Sequence, residues 1–238
     1  MLAHNRSGGY RFLAEEGRPF SNAVVADQGF DLVHAVFERP IPLADGLAAA
    51  ARHVTGEGRT VEAIAGFELR IPEPLAREDF DAFNKGYVSN LRSLGLEVDG
   101  FLPATRTNVA AVVGGVSEPS VYAVSYTRPG RGNRPAFVLS GAPEEEGGTS
   151  AAMLGSIMRA LSLRLEEIGC SWKETSAIQV YGVDNFQDLI VDAVLELAGP
   201  AAVHGIRWFP SLPPIQGLRL EIDARSAGVE VVLPTSSL

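Results

Sequence analysis

Along residues 60–71, TVEAIAGFELRI, apolar residues alternate: Val61, Ala63, Ala65, Phe67, Leu69 and Ile71 fall on one face. A period of two predicts a strand. The rhythm then changes. In 77–95, REDFDAFNKGYVSNLRSLG, Phe80, Phe83, Tyr87, Leu91 and Leu94 recur at spacings of three and four, the apolar stripe of a helix. Upstream, PFSNAVVA (19–26) and DLVHAVFE (31–38) are short apolar runs on either side of a Gln28-Gly29 turn. ADGLAAAARHVTGEG (44–58) predicts a helix that stops at Gly56 and Gly58. TNVAAVV (107–113) and VYAVSYT (121–127) predict two closing strands.

The same order returns further on. AFVLSG (136–141) predicts a strand. TSAAMLGSIMRALSLRLEEIG (149–169) predicts a helix with Leu154, Ile157, Met158, Leu161, Leu165 and Ile168 on one side, and Thr149 or Ser150 as N-cap. SAIQVYGV (176–183) predicts a strand, and NFQDLIVDAVLELAG (185–199) a helix with Phe186, Leu189, Ile190, Ala193 and Leu197 inward. GLRLEIDA (217–224) alternates as a final strand. Between the halves lies Arg128-Pro129-Gly130-Arg131-Gly132-Asn133-Arg134-Pro135, a turn-rich basic linker. The chain thus divides into 1–127, a linker at 128–135, and 136–238. Each half has the order β-β-α-β-α-β-β, the second lacking a first strand. This is a tandem duplication of an α+β unit, each a mixed sheet with helices on one face. The uncovered sheet faces predict that the two units pack together and that the chain oligomerises.

A length of 238 residues with 46% hydrophobic and 21% charged residues suffices for such a pair of cores. The net charge of −9 argues against nucleic acid or an anionic membrane as partner. It leaves room for a small anionic ligand held by local arginines. A single cysteine, Cys170, excludes an internal disulfide and fits a reducing compartment. The first residues carry charges throughout, unlike a secretory signal, and no run approaches a membrane span. The expectation is a soluble cytoplasmic protein.

GxSxG, GxxxxGK[ST] and HExxH motifs are absent, and His4, His34, His53 and His204 have no metal-ligand spacing. No metal or cofactor is called for. Cys170 reads as a small core thiol, His34 as a packed strand residue, and Glu144-Glu145-Glu146 as a solvated loop. What remains is arginine beside small apolar strands. Arg106, in PATRTNVA, suits a surface salt bridge or, through its fork of donors, a carboxylate held bidentately.

The order of motifs resembles the RidA/YjgF family. Gly17-Arg18-Pro19-Phe20-Ser21-Asn22-Ala23 is similar to its G-P-Y-S-x-A stretch, with Phe20 for tyrosine. Asp79-Phe80-Asp81-Ala82-Phe83-Asn84-Lys85-Gly86-Tyr87 is similar to D-F-x-x-[VF]-N-x-x-Y. Pro103-Ala104-Thr105-Arg106-Thr107-Asn108-Val109 is similar to P-A-R-[ST]-x-V, one residue longer, with Asn108 for cysteine. In the second half, Phe137-Val138-Leu139-Ser140-Gly141 matches the Y-x-S-G-Q strand end. Leu218-Arg219-Leu220-Glu221-Ile222-Asp223-Ala224 matches the last V-x-I-E-x-[ED]-A strand. Val33-His34-Ala35 stands where the first half should carry Ser-Gly, and Arg207 is the nearest second-half counterpart of the P-A-R arginine.

The resemblance implies small trimeric α+β proteins of chorismate mutase-like fold that hydrolyse enamines and imines, with ligand pockets between neighbouring subunits. For this chain it implies a homotrimer and a deaminase, with a 2-aminomuconate-like dicarboxylate favoured. Arg106 becomes the carboxylate clamp, Asn108 and Asn84 polar pocket groups, Ser140 and Gly141 the groups orienting water or substrate. Phe20 and Tyr87 join them, Glu221 or Asp223 is the acid/base, and Arg207 is a second clamp. Surface alternatives stay open: Asp223 paired with Arg219 or Arg225, and Arg207 against Trp208. A chorismatase-like hydrolase or lyase and a non-enzymatic 2-oxo acid-binding protein also stay open.

Overall fold

The computed structural model describes residues 1–15, 20–131, 134–144 and 148–234. A hairpin of β1 (Leu2–Asn5) and β2 (Tyr10–Leu13) leads to β3 (Ala23–Ala26) and the long β4 (Phe30–Pro42). Then come α1 (Leu43–Gly56), β5 (Ile64–Ile71), α2 (Arg77–Ser93), β6 (Thr105–Ala111) and β7 (Ser120–Pro129). The second half supplies β8 (Phe137–Leu139), β9 (Ala142–Pro143), α3 (Ser150–Glu167), β10 (Ala177–Gly182) and a helical stretch over 187–204. It ends with β11 (Arg207–Phe209), β12 (Ser211–Leu212), β13 (Leu220–Ser226) and β14 (Val229–Leu233). As the chain pattern predicts, this is an α+β fold built on two mixed sheets.

One sheet has the order β12-β6-β5-β7-β4-β14. The other runs β1-β2-β3-β8-β13-β10-β11, with β9 also against β13. The duplication is visible in the pairing. β5 and β6 are parallel neighbours joined by α2, and β10 and β11 are parallel neighbours joined by the later helix. Parallel neighbours require such a crossover.

Sheet membership departs from chain order. The first half's β1, β2 and β3 lie in the second sheet, while β12 and β14 edge the first. The runs flanking Gln28-Gly29 therefore part company, β3 to one sheet and β4 to the other. Arg128 and Pro129 finish β7, and Gly132 and Asn133 of the expected linker lie outside the described residues. Exchanged strands also cover sheet edges that would otherwise present unpaired backbone groups.

Each sheet packs helices on one face and the other sheet on the opposite face. The helix-side cores gather Leu47, Phe67, Tyr87 and Leu91 in one layer, and Leu154, Ile157, Leu161 and Ile222 in the other. Between the sheets lie Tyr10, Phe12, Val24, Leu32 and Ala65. The expected mutual packing of the units is how the bare faces are covered. At Gly66 a Cβ would fall 2.3 Å from the Thr105 hydroxyl and 3.4 Å from Val138 of the opposite sheet, so glycine permits the close approach. Because both faces are covered, all eight residues of β5 are buried, and Val61–Ala63 forms a 3₁₀ turn before it.

The helix expected over 185–199 differs most. An α-turn (Gln187–Ile190) passes into a π-turn (Val191–Leu195), then a short α-turn (Glu196–Ala198) and a 3₁₀ turn (Gly199–His204). The wider π-turn shifts the phase by a residue. Phe186 and Ile190 point inward as expected and Ala193 packs partly against the core; beyond the π-turn Val194 and Ala198 carry the buried stripe and Leu197 is exposed, as is Leu189 ahead of it. Thr149 caps α3 as expected, accepting from Ala152 N at 3.2 Å.

That phase shift makes a testable contrast. Val194→Ala is expected to destabilise the protein by about 2 kcal/mol, and Leu197→Ala by no more than about 0.5 kcal/mol. Chemical denaturation of both variants measures the difference, and the reverse ranking would mean an uninterrupted α-helix.

Candidate active site

Arg106 and Asn108 lie on the face of β6 turned toward α2, while Thr107 points between the sheets. Arg106 is 6% exposed. Its guanidinium carbon lies 4.2 Å from the centre of the Phe20 ring, 5.0 Å from Tyr87, 5.4 Å from Phe80 and 5.7 Å from Phe83. The helical spacing of Phe80, Phe83 and Tyr87 stacks these rings into one wall. Aromatic faces attract a cation through their quadrupoles. Arg106 Nη1 donates to Asn84 Oδ1 at 2.8 Å, and no carboxylate pairs with it among the described residues. Burial pulls the guanidinium down to about 10, still charged at neutral pH. Among the described residues, the Tyr87 hydroxyl and both amide atoms of Asn108 are buried without a hydrogen-bond partner. A cleft of about 430 Å³ lined by Phe83, Gly86, Tyr87 and Asn90 of α2 with Leu43 and Pro119 adjoins this wall.

The second half meets β6 from the other sheet. Ser140 Oγ donates to the Arg106 carbonyl at 2.5 Å, and Gly141 N donates to Thr107 Oγ1 at 3.1 Å. Thr107 Oγ1 in turn donates to Asp223 Oδ2 at 2.7 Å. Glu221 lies against Gly141 so tightly that a Cβ there would fall 1.8 Å from Glu221 Oε1. Burial first, then the Asp223 charge, push Glu221 up to about 8, against the pull of Arg106 and Arg164. A carboxyl so placed is a proton donor at neutral pH.

Asp223 is buried rather than paired on the surface; Arg219 instead pairs with Asp184 at 2.7 Å. Gln179 Nε2 donates to Asp223 Oδ1 at 3.1 Å and Tyr181 OH donates to Oδ2 at 3.1 Å. Burial and the neighbouring Glu68 raise Asp223. With both oxygens engaged, it positions Thr107 and holds Glu221 protonated.

Arg207 does not join this group. Its guanidinium grips Glu230 with two bonds, Nη1 to Oε1 at 3.1 Å and Nη2 to Oε2 at 2.5 Å, and Arg225 Nη2 shares Oε1 at 2.9 Å. Although burial opposes it, Arg207 and Arg225 hold Glu230 down to about 2. Trp208 instead donates its Nε1–H to the Gly182 carbonyl at 2.9 Å. His34 is buried and neutral, lowered to about 3 by burial and then Arg225, with Nδ1 3.0 Å from Ser125 Oγ. Cys170 is half-buried, its thiol pushed up to about 12 by burial, which suits a packing role. Glu144 departs from the solvated-loop expectation: it is buried and accepts from the backbone N–H groups of Arg219 and Leu220. Glu145, Glu146 and Gly147 lie outside the described residues, as do Gly17, Arg18 and Pro19.

Phe80 and Phe83 are read from the sequence only as core, and Thr107, Gln179 and Arg164 not at all. The one signal available was FELR, which sets Glu68 and Arg70 into an apolar strand. Glu68 accepts from Gln179 at 3.0 Å and from Arg225 Nη1 at 3.3 Å, so charge lies between the sheets. Among the described residues no helix is long and apolar enough to cross a membrane, and no three His, Cys, Asp or Glu side chains are grouped to hold a metal ion.

The model of the 2-aminomuconate deaminase CnbZ family matches residues 2–156 and 151–231. A 2-amino-5-chloromuconate deaminase of Comamonas testosteroni is 31% identical over 245 residues, covering 95% of this chain and 96% of the relative. Among solved structures, a chorismatase has a TM-score of 0.48 at 13% identity, over 87% of this chain and 77% of its own. A Mycobacterium tuberculosis member of the YjgF/YER057c/UK114 family has a TM-score of 0.30 at 19% identity, over 42% of this chain and 82% of its own. On the family match and the full-length relative, this chain belongs to the 2-aminomuconate deaminase CnbZ family and is a deaminase.

Proposed function

We propose that the protein hydrolyses a 2-aminomuconate-like enamine, releasing ammonia and a 2-oxo acid. The observation that carries this reading is Arg106: a buried guanidinium caged by aromatic rings and paired with no carboxylate among the described residues. An isolated buried charge is costly, and a bidentate carboxylate is the partner its fork of donors fits best. Asn108 and the Tyr87 hydroxyl add buried polar atoms that have no partner among the described residues.

The chemistry asks for little more. The enamine gains a proton at carbon and becomes an iminium; water adds to the C=N carbon and gives up one proton; the remaining hydroxyl proton passes to nitrogen, ammonia leaves, and the C=O of the oxo acid remains. No metal or covalent nucleophile is needed. Glu221, protonated up to about pH 8, donates the carbon proton and then takes one from the attacking water. Ser140 and the Gly141 backbone orient the water or the amine, and Thr107 with Asp223 fixes Gly141. Asn84 holds Arg106, and Phe20 shields it from water. The site is composed from both halves of one chain. The assembly is read as a homotrimer, and light scattering that returns a monomer would remove the trimer without touching the site.

Ammonia release from freshly generated 2-aminomuconate tests the clamp. Arg106→Ala is expected to lower kcat/KM by about 10²–10³-fold, or roughly 3–4 kcal/mol; an unchanged rate would remove Arg106 from the site. Glu221→Gln is expected to lower kcat by about 10²–10⁴-fold, and the wild-type rate to fall as pH rises through about 8. The same group links to stability. Its folded value lies above the ordinary 4.5, so its contribution is complete below pH 4.5 and is lost as pH rises through about 8. Glu221→Gln should therefore gain stability relative to wild type across that window, which melts at pH 5 and pH 8.5 measure.

A further inference from the structure

A second guanidinium is caged in this molecule, and the proposed reaction does not use it. Glu68 and Arg70 project from β5 into the space between the sheets, and Arg70 is 5% exposed. Its guanidinium carbon lies 4.0 Å from the centre of the Tyr122 ring, 5.6 Å from Tyr181 and 5.7 Å from Phe209. Tyr122 stands on β7 of the first sheet, whereas Tyr181 and Phe209 stand on β10 and β11 of the second, stacked 5.3 Å apart. Phe209 also meets Tyr122 edge-on at 6.4 Å, which closes the cage across the two sheets. Tyr122 and Phe209 are only half-buried, so the cage reaches the surface.

Arg70 Nη1 donates to the carbonyl of the adjacent Leu69 at 2.9 Å. Among the described residues, its Nη2 is buried without a hydrogen-bond partner. Glu68 Oε2 lies 3.5 Å from Nη2 and is likewise buried without a hydrogen-bond partner, while Glu68 Oε1 is committed to Gln179 and Arg225. A donor and an acceptor thus stand side by side, both desolvated and neither hydrogen-bonded, which is costly. The group that satisfies both accepts from the guanidinium and donates to the carboxylate from neighbouring atoms. A plain carboxylate meets the first demand but is repelled by Glu68, and a plain amine meets the second but is repelled by Arg70. A 2-amino acid carries a carboxylate and an ammonium on one carbon and adds no net charge between the sheets. We propose that Arg70 and Glu68 form a second ligand site, holding the carboxylate and the ammonium of a small 2-amino acid that enters between Tyr122 and Phe209. This site is separate from Arg106, which faces α2 on the other side of the same sheet, and it goes beyond the function proposed above.

The test titrates three probes calorimetrically into the full chain: L-2-aminobutyrate, butyrate, which lacks the amine, and propylamine, which lacks the carboxylate. The amino acid is expected to bind at least about 10-fold more tightly than either single-charge probe. Arg70→Gln and Glu68→Gln should each weaken it by about 10–100-fold, and Arg106→Gln should leave it unchanged. Arg70→Lys, which keeps the charge and loses the fork, should recover part of the affinity. Melting temperatures of the variants identify any loss that comes from unfolding, and the Lys variant supplies the comparison if a Gln variant is unstable. No saturable binding to the wild type would mean that the space beside Arg70 takes water only, and would overturn the site. Butyrate binding as tightly as the amino acid, or an affinity that Arg70→Gln leaves unmoved, would overturn it too. A loss confined to Arg106→Gln would move the amino acid to the Arg106 site and equally overturn the proposal.

Discussion

Two sheets laid face to face bury the polar side chains that point between them, and much of this molecule follows from how those groups are paired. Glu68 meets Arg225 and Gln179; Asp223 meets Gln179, Tyr181 and Thr107; Thr107 meets the Gly141 backbone. Arg225 is pulled toward its neutral form by burial but held charged by Glu68, Asp223 and Glu230. An unpaired member of such a chain would carry the full cost of its desolvation. The polar ladder therefore sets the register of one sheet against the other. That register places Ser140 and Gly141 beside β6.

The site sits at the end of this ladder. On one side of β6, aromatic rings and Asn84 surround the Arg106 cation; on the other, Thr107 ties β6 to the strand carrying Asp223 and Glu221. Neither half of the chain holds both parts. The arginine and its cage come from the first half, the Ser-Gly strand end and the high-pKa carboxyl from the second. The second half's own arginine has gone to Glu230 on β14, a strand that crosses back to edge the first sheet. Both Arg207 and the strand that brings Glu230 to it come from the second half.

Periodicity located most elements, since a helix or strand with one buried face writes that face into its sequence. β5, α2, α3 and β10 all stand where the pattern predicts. β1, β2 and β14 did not emerge: the first two are four-residue strands, too short to show a period, and β14 pairs with β4 nearly two hundred positions away. The apolar rhythm of 185–199 predicted an unbroken helix; the π-turn adds a residue and moves the buried stripe to Val194 and Ala198. The Ser-Gly, P-A-R, D-F-x-x-F-N-x-x-Y and V-x-I-E-x-[ED]-A motifs pointed to Arg106, Asn84, Tyr87, Ser140, Gly141, Glu221 and Asp223, which the fold draws around one strand crossing. Arg164 and Thr107 carried no such signal. On a helix flank or in a strand of small polar residues, neither differs in pattern from a solvated side chain.

By itself, the sequence determined the duplicated α+β plan, the family and the residues whose chemistry is local, above all an arginine at the mouth of an apolar strand. Only the tertiary structure decided which sheet each strand joins, that Arg207 pairs with Glu230, and that Thr107 ties β6 to Asp223. The reason is physical. Periodicity and motifs report what a residue does within its own element, where neighbours are three or four positions away. Charge pairing between sheets depends on residues more than a hundred positions apart, as Thr107 and Asp223 are, and no local pattern encodes that contact.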